Sequence, residues 1–143
     1  MSTAGRALLG LCAATAMACA HADDSTFTSH GGLETASGAQ IYSHICQGCH
    51  MPEGQGAVGA GRYPKLAGDP ALASWQFVAL TVLGGRNGMP AFGLPADEVL
   101  EVRAVRLSDA QVADVVNYVR QRFGKLKGSI SASQVAALPH PGP

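Results

Sequence analysis

The stretch Cys46-Gln47-Gly48-Cys49-His50 decides the fold, because two cysteines separated by two residues and followed by histidine form the attachment signal for c-type haem. Each thiol can form a thioether with one vinyl group of the porphyrin, and the spacing places both sulfurs along one edge of a helical turn. The His50 imidazole then lies beneath the macrocycle, where it can bind iron as the proximal ligand. We therefore predict one covalently bound haem c, attached at Cys46 and Cys49.

Two other functions of a Cys-x-x-Cys pair are less consistent with this sequence. Without the histidine, the pair would also fit thioredoxin-like redox chemistry or half of a zinc site. The adjoining histidine and the lack of a second such pair in the sequence weigh against both. The remaining cysteines, Cys12 and Cys19, lie in the N-terminal leader, so no disulfide framework is predicted. With a formal net charge of zero and 14% charged residues, the composition does not favour nucleic-acid binding.

Residues 1–22 are predicted to be a secretory signal peptide. Arg6 supplies a positive start, and residues 7–20 form an apolar run that is too short to span a membrane. Ala20-His21-Ala22 places small residues where signal peptidase reads them, with Ala18-Cys19-Ala20 as an alternative site and a lipoprotein signal at Cys19 as a poorer one. Covalent haem attachment takes place outside the bacterial cytoplasm, so we expect the mature chain in the periplasm, without a transmembrane segment.

The rest of the chain is predicted to contain a flexible arm over residues 23–36, a helical domain over residues 37–124 and a tail over residues 125–143. Each of three helices has a capping signal at its start: Ser37 with Gln40, Asp69-Pro70, and Ser108 with Gln111. Gly84-Gly85 ends the second helix and Gly124 follows the third. No segment alternates persistently enough to predict a sheet. A domain this small needs an additional constraint, which the haem would supply as a common core.

Met89 is the candidate for the second axial ligand of the iron. It lies in the loop of residues 84–93, where glycines allow a tight turn and Pro90 fixes the backbone after the ligand. Thioether ligation raises the reduction potential and fills the sixth coordination site, which suits electron transfer. The alternative is that Met89 only fills an apolar gap. Met51 is a rival ligand, but it adjoins His50 and cannot easily reach the other face of the haem.

In type and in order, these motifs resemble those of class I monohaem c-type cytochromes. The likeness covers residues 37–124 and rests on four segments: Cys46–His50, Tyr63–Gly68, Gly88–Phe92 and Val115–Val119. It implies a small all-α class I cytochrome c fold, with three main helices around one covalently attached haem c. It also implies that Gly38 and Tyr42 meet the Tyr118 face. The Pro64 carbonyl is expected to accept a hydrogen bond from the His50 ring nitrogen that does not bind iron.

The chain is also similar to the haem-binding subunits of periplasmic alcohol and sugar dehydrogenases, which share the Met-Pro-Ala-Phe loop. This likeness implies an electron carrier rather than an enzyme. The expected donor is a periplasmic dehydrogenase, and the expected acceptor is a terminal oxidase or another cytochrome. A free shuttle and a stable dehydrogenase subunit remain open. The alternative from a different class is a haem enzyme or gas sensor with an open sixth site, against which Met89 argues.

Two further features of the sequence leave alternatives open. Residues 95–106 form an insertion relative to similar proteins, where the methionine loop leads almost directly into the last helix. The insertion is either an extra surface turn or a docking element. The candidate hydrogen-bond donors to the haem propionates are Arg62, Tyr63, Trp75 and Arg86. Of these, Tyr63 and Trp75 are explained equally well as core residues.

Overall fold

The computed structural model describes residues 32–59, 61–93 and 105–142, and helix predominates in these ranges. The elements in chain order are α1 (Gly38–Ile41), a π-helical turn (Tyr42–Cys46), α2 (Gln47–His50), β1 (Ala57–Val58), β2 (Arg62–Tyr63), a 3-10 turn (Pro70–Ala73), α3 (Trp75–Gly84), α4 (Asp109–Arg122) and α5 (Ala132–Ala136). The predicted signal peptide, most of the predicted arm and most of the 95–106 insertion lie outside the described residues. No helix of the described part is long and apolar enough to cross a membrane.

The first helical segment begins where the sequence predicted. Ser37 and Gln40 form the capping box, in which the Ser37 hydroxyl accepts from the Gln40 amide and the Gln40 side chain accepts from the Ser37 amide. The segment then widens into the π-helical turn, a local change that is frequent at functional sites. Gly38 contacts α4 so closely that an added Cβ would lie 2.1 Å from the Asp114 carbonyl oxygen. The expected contact of Gly38 and Tyr42 with the Tyr118 face is therefore confirmed.

The second predicted helix is divided in two, which corrects the sequence prediction. Asp69 caps only the 3-10 turn, where its carboxylate accepts from the Ala71 amide at 2.9 Å. Ser74 then adopts an extended conformation and caps α3 by accepting from the Phe77 amide. Because Ser74 is extended, its backbone cannot continue one helix into the next. The predicted end is confirmed, since Gly85 follows α3 with a φ of 70°.

Among the described residues, helix α4 supplies the largest share of the buried aliphatic side chains. Its start has the predicted capping box between Ser108 and Gln111. The apolar face is buried as the spacing predicts and consists of Val112, Val115, Val116, Val119 and Phe123. The small antiparallel pair of β1 and β2 was not predicted, because two-residue strands are too short to show alternation.

The predicted C-terminal tail contains a short helix, α5. Ser131 and Gln134 form a third capping box at the start of α5, and Val135 is fully buried as α5 packs against α4. Asn117 of α4 pairs with the backbone of Ile130, donating to its carbonyl at 2.9 Å and accepting from its amide at 2.8 Å. Helix α5 was not predicted, although Ser131 and Gln134 carry the same Ser-x-x-Gln signal as two of the predicted helix starts.

Candidate haem-binding site

A cavity of about 800 Å³ lies between α2, α3, α4 and the loop that follows α3. Its walls are largely apolar and include Ile45, Leu66, Leu72, Val78, Val82, Phe92, Val115, Val116 and Val119. Several of these side chains belong to the buried core, so the cavity forms part of the interior of the domain. A space of this size and lining is typical of a cofactor site.

The two cysteines of the motif line this cavity as free thiols. Cys46 ends the π-helical turn and is partly buried, whereas Cys49 lies in α2 and is exposed. Burial raises the pKa of the Cys46 thiol to about 12, and the neighbouring Cys49 contributes to this rise. Both cysteines line the same space, as attachment to one porphyrin requires.

His50 is buried at the cavity wall with one ring nitrogen already engaged. Its Nδ1 lies 3.1 Å from the Pro64 carbonyl oxygen. A carbonyl oxygen can only accept, so Nδ1 carries the proton and Nε2 keeps a free lone pair. This contact confirms the hydrogen bond that the family resemblance implied. The imidazole is thus held in the tautomer that a metal ligand needs.

Met89 lines the same cavity and is carried by a tight turn. Arg86 and Met89 exchange backbone hydrogen bonds of 3.1 and 2.9 Å, and the two residues between them, Asn87 and Gly88, have φ values of 48° and 91°. Two positive φ values at Asn-Gly define a type I′ turn, the geometry that this dipeptide favours. Gly85 is required before the turn, because an added Cβ would lie 2.5 Å from the Met89 carbonyl oxygen.

The turn is fastened to α3 and to the segment before α4. The Phe92 and Gly93 amides donate to the last carbonyls of α3, at Val82 and Leu83, each over 3.0 Å. The Leu107 amide donates to the Phe92 carbonyl at 2.8 Å. The loop that carries Met89 is therefore anchored to two other parts of the chain. Met89 is the one methionine among the described residues that line the cavity, whereas Met51 lies at the end of α2.

Polar side chains are found at the edge of the cavity. Of the four candidate donors to propionates, Arg62, Tyr63 and Arg86 line the cavity, and the Arg86 guanidinium lies 5.2 Å from the centre of the Phe77 ring. Trp75 instead packs against the core, which favours the alternative given for it. Sequence reasoning missed Asn87 as a lining residue, although the Asn-Gly turn signal was available to place it.

The residues present fit haem c. Two free thiols, an imidazole with one free nitrogen and a thioether converge on one apolar space, and two arginines lie at its edge. Imidazole and thioether are ligands of haem iron in proteins, and guanidinium groups are suited to carboxylates such as the propionates. The chemistry of Cys46, Cys49, His50 and Met89 therefore suits this cofactor.

Comparison with known proteins agrees with the site. The sequence model described as Cytochrome c matches residues 35–122. The chain is 31% identical over 121 residues to the cytochrome c subunit of the quinone alcohol dehydrogenase of Gluconobacter oxydans (strain 621H), covering 81% of this chain and 25% of that subunit. It is 35% identical over 120 residues to the gluconate 2-dehydrogenase cytochrome c subunit of Pantoea cypripedii, covering 75% and 25%.

A smaller relative is matched over more of its length. A cytochrome c-552 of Thermus thermophilus is 36% identical over 101 residues, which cover 66% of each chain. The chain thus spans about a quarter of the length of the dehydrogenase subunits it matches.

Proposed function

This chain belongs to the cytochrome c family, whose cofactor is haem c, and we propose that it works as a periplasmic one-electron carrier. The observation that carries the proposal is the convergence of Cys46, Cys49, His50 and Met89 on one apolar cavity. The four side chains come from two separate segments of the chain, and only folding brings them to the same space.

Each of the four residues has a distinct part in the proposal. Cys46 and Cys49 hold the cofactor covalently through their sulfurs. His50 would bind the iron through Nε2, because its Nδ1 is engaged by the Pro64 carbonyl, which fixes the ring. Met89, which lines the same cavity, would supply the second protein ligand to the iron, and no coordination site would then be left open for a substrate. This ligand set favours electron transfer over the alternative of a haem enzyme or gas sensor.

When bound, the haem supplies a reversible Fe(III)/Fe(II) couple. The surrounding chain sets the conditions for that couple. The aliphatic walls, such as Val115, Val116 and Val119, exclude water, so little solvent must reorient when the charge changes. Arg62 and Arg86, which line the cavity, would compensate the propionate charges. We propose that α1 with α2, α3 and α4 are the three main helices that enclose the cofactor.

We further propose that a periplasmic dehydrogenase supplies the electron and that a terminal oxidase or another cytochrome receives it. The support for the donor is that two of the matching relatives are cytochrome c subunits of an alcohol and a gluconate dehydrogenase. The match to a cytochrome c-552 of comparable length favours the same chemistry in a small protein.

The proposal is tested by producing the full chain in a host that attaches haem in its periplasm. Haem should stay with the polypeptide through acid–organic extraction, and the double variant Cys46→Ala/Cys49→Ala should lose it. Ser43→Ala, an exposed change on the same helical segment, is the matched control and should keep the haem. Covalent haem in the double variant would contradict the assignment. Gentle purification from periplasm then asks whether a dehydrogenase co-elutes, which distinguishes a stable subunit from a free shuttle.

A further inference from the structure

Tyr42 is a buried aromatic residue with a polar contact that packing alone does not need. Its side chain is 1% exposed, and its ring packs against Tyr118 and Phe123 with centroid distances of 5.4 and 5.0 Å. The hydroxyl reaches beyond this cluster and donates to the Met51 carbonyl at 2.7 Å. Tyr42 therefore makes two kinds of contact. Its ring packs against aromatic residues of α4 and its C-terminal end, and its hydroxyl binds the backbone that follows α2.

Met51 has a backbone conformation that is costly for its residue type. Its φ of 65° and ψ of 158° fall in a region that is essentially restricted to glycine. The Met51 amide still donates to the Gln47 carbonyl at 2.9 Å, as in a helix, whereas its carbonyl turns to accept from Tyr42 and from the Gly54 amide at 3.0 Å. Such strain persists only when the surrounding structure holds it in place.

The strained residue directly follows His50. The His50 ring is fixed at Nδ1 by the Pro64 carbonyl, and the His50 carbonyl accepts from the Gly56 amide at 3.1 Å. We propose that Tyr42 is a positioning residue for His50, whose hydroxyl holds Met51 in its strained conformation and so fixes the plane of the imidazole in the cavity. This inference rests on the proposed function, in which His50 is an iron ligand.

The hydroxyl is suited to this part at every physiological pH. Burial raises the pKa of Tyr42 to about 12, and the neighbouring Tyr118 and Glu53 contribute to this rise. Tyr42 therefore stays protonated and remains a donor. Phenylalanine at this position keeps the ring in the aromatic cluster and removes only the hydrogen bond, after which Met51 can relax towards a less strained backbone.

The first test compares the haem-loaded Tyr42→Phe variant with the wild type. We expect shifted hyperfine resonances of the His50 ring in the NMR spectrum and altered EPR g-values in the oxidised state, because both report the orientation of an axial imidazole. Tyr118→Phe is the matched control, since it removes a hydroxyl from the same cluster and leaves the bond between Tyr42 and Met51 intact. Unchanged His50 signals in Tyr42→Phe, even with reduced stability, would overturn the inference.

The second test asks whether strain at Met51 is the link. Met51→Gly removes the strain, because glycine adopts this conformation freely. The single variant Met51→Gly should keep the wild-type His50 signals. Tyr42→Phe should shift these signals far less in the Met51→Gly variant than in the protein that retains Met51. A shift of equal size in both backgrounds would refute the link.

Two further outcomes distinguish failure of the inference from a folding defect and from failure of the proposed function. If Tyr42→Phe does not fold, the double variant with Met51→Gly should fold, and failure of both would overturn the proposal. If the wild type itself shows no ligated imidazole, the proposed function fails before any variant is compared.

Discussion

Replacing Gly38 with alanine tests the close contact of α1 with α4. An added Cβ would lie 2.1 Å from the Asp114 carbonyl oxygen and 3.1 Å from the Tyr118 Cβ. Side-chain carbons essentially never approach other heavy atoms within 3.0 Å. The first obstacle is backbone and cannot rotate away, so α1 and α4 must separate by about 1 Å.

The expected cost follows from this geometry. Overpacking costs up to about 3 kcal/mol, and an immovable backbone obstacle puts Gly38→Ala at that end of the range. Alanine also lowers the conformational entropy of the unfolded chain, which offsets the loss of folding stability by up to about 1 kcal/mol. The net loss is about 2 kcal/mol, which corresponds to a fall in Tm of about 8–16 °C for a domain of this size.

Thermal and denaturant unfolding of the haem-loaded protein measures this loss. Gly84→Ala is the matched control, because an added Cβ there meets nothing within 4 Å and Gly84 ends α3 in a helical conformation. The control should be neutral or slightly stabilising. If Gly38→Ala and Gly84→Ala unfold at the same temperature, the contact of α1 with α4 does not limit stability and the reasoning is wrong.

Two other predictions concern α4. The hydrogen bond from His140 to Asp109 (2.7 Å), and then the one to the Leu138 carbonyl, raise the pKa of His140 above its ordinary 6.5. These hydrogen bonds therefore contribute fully to stability below pH 6.5, and the contribution is lost as the pH rises through the raised pKa. His140→Gln should lower Tm at about pH 5.5 but hardly at about pH 8. An equal effect on Tm at both pH values would contradict this. Arg120→Met removes the buried bond to the Leu72 carbonyl (3.0 Å) and should cost about 1–3 kcal/mol in denaturant unfolding. The exposed Arg122→Met should cost under about 1 kcal/mol, and the reverse order would refute the difference.

The parts of the fold that the sequence predicted depend on local signals. The capping boxes at Ser37 and Ser108 join residues three apart, so the sequence shows them directly. The break at Ser74 could not be predicted, because the same apolar spacing fits one helix or a 3-10 turn followed by a helix. The burial of Val135 depends on how α5 folds back onto α4, which its capping box alone did not show.

In the candidate site, too, the sequence predicts the local motif but not the contacts that depend on packing. The spacing within Cys46–His50 indicates its chemistry without a structure. That Met89 lines the same cavity while Trp75 lies away from its lining depends on how α3 and its turn pack, which no local pattern encodes. The hydrogen bond between Tyr42 and Met51 is also invisible in the sequence, because tyrosine and phenylalanine fit the apolar pattern equally well.

The absorption spectrum of the oxidised protein, recorded for the wild type and Met89→Ala, tests most directly whether His50 and Met89 hold the iron of an electron carrier. We predict a low-spin wild type with the weak red band of an iron(III)–thioether bond. Met89→Ala should lose that band, keep its covalent haem and bind cyanide or imidazole far more readily, whereas Met51→Ala should keep the band. A high-spin wild type that already binds these ligands avidly would contradict the account and favour a haem enzyme or gas sensor.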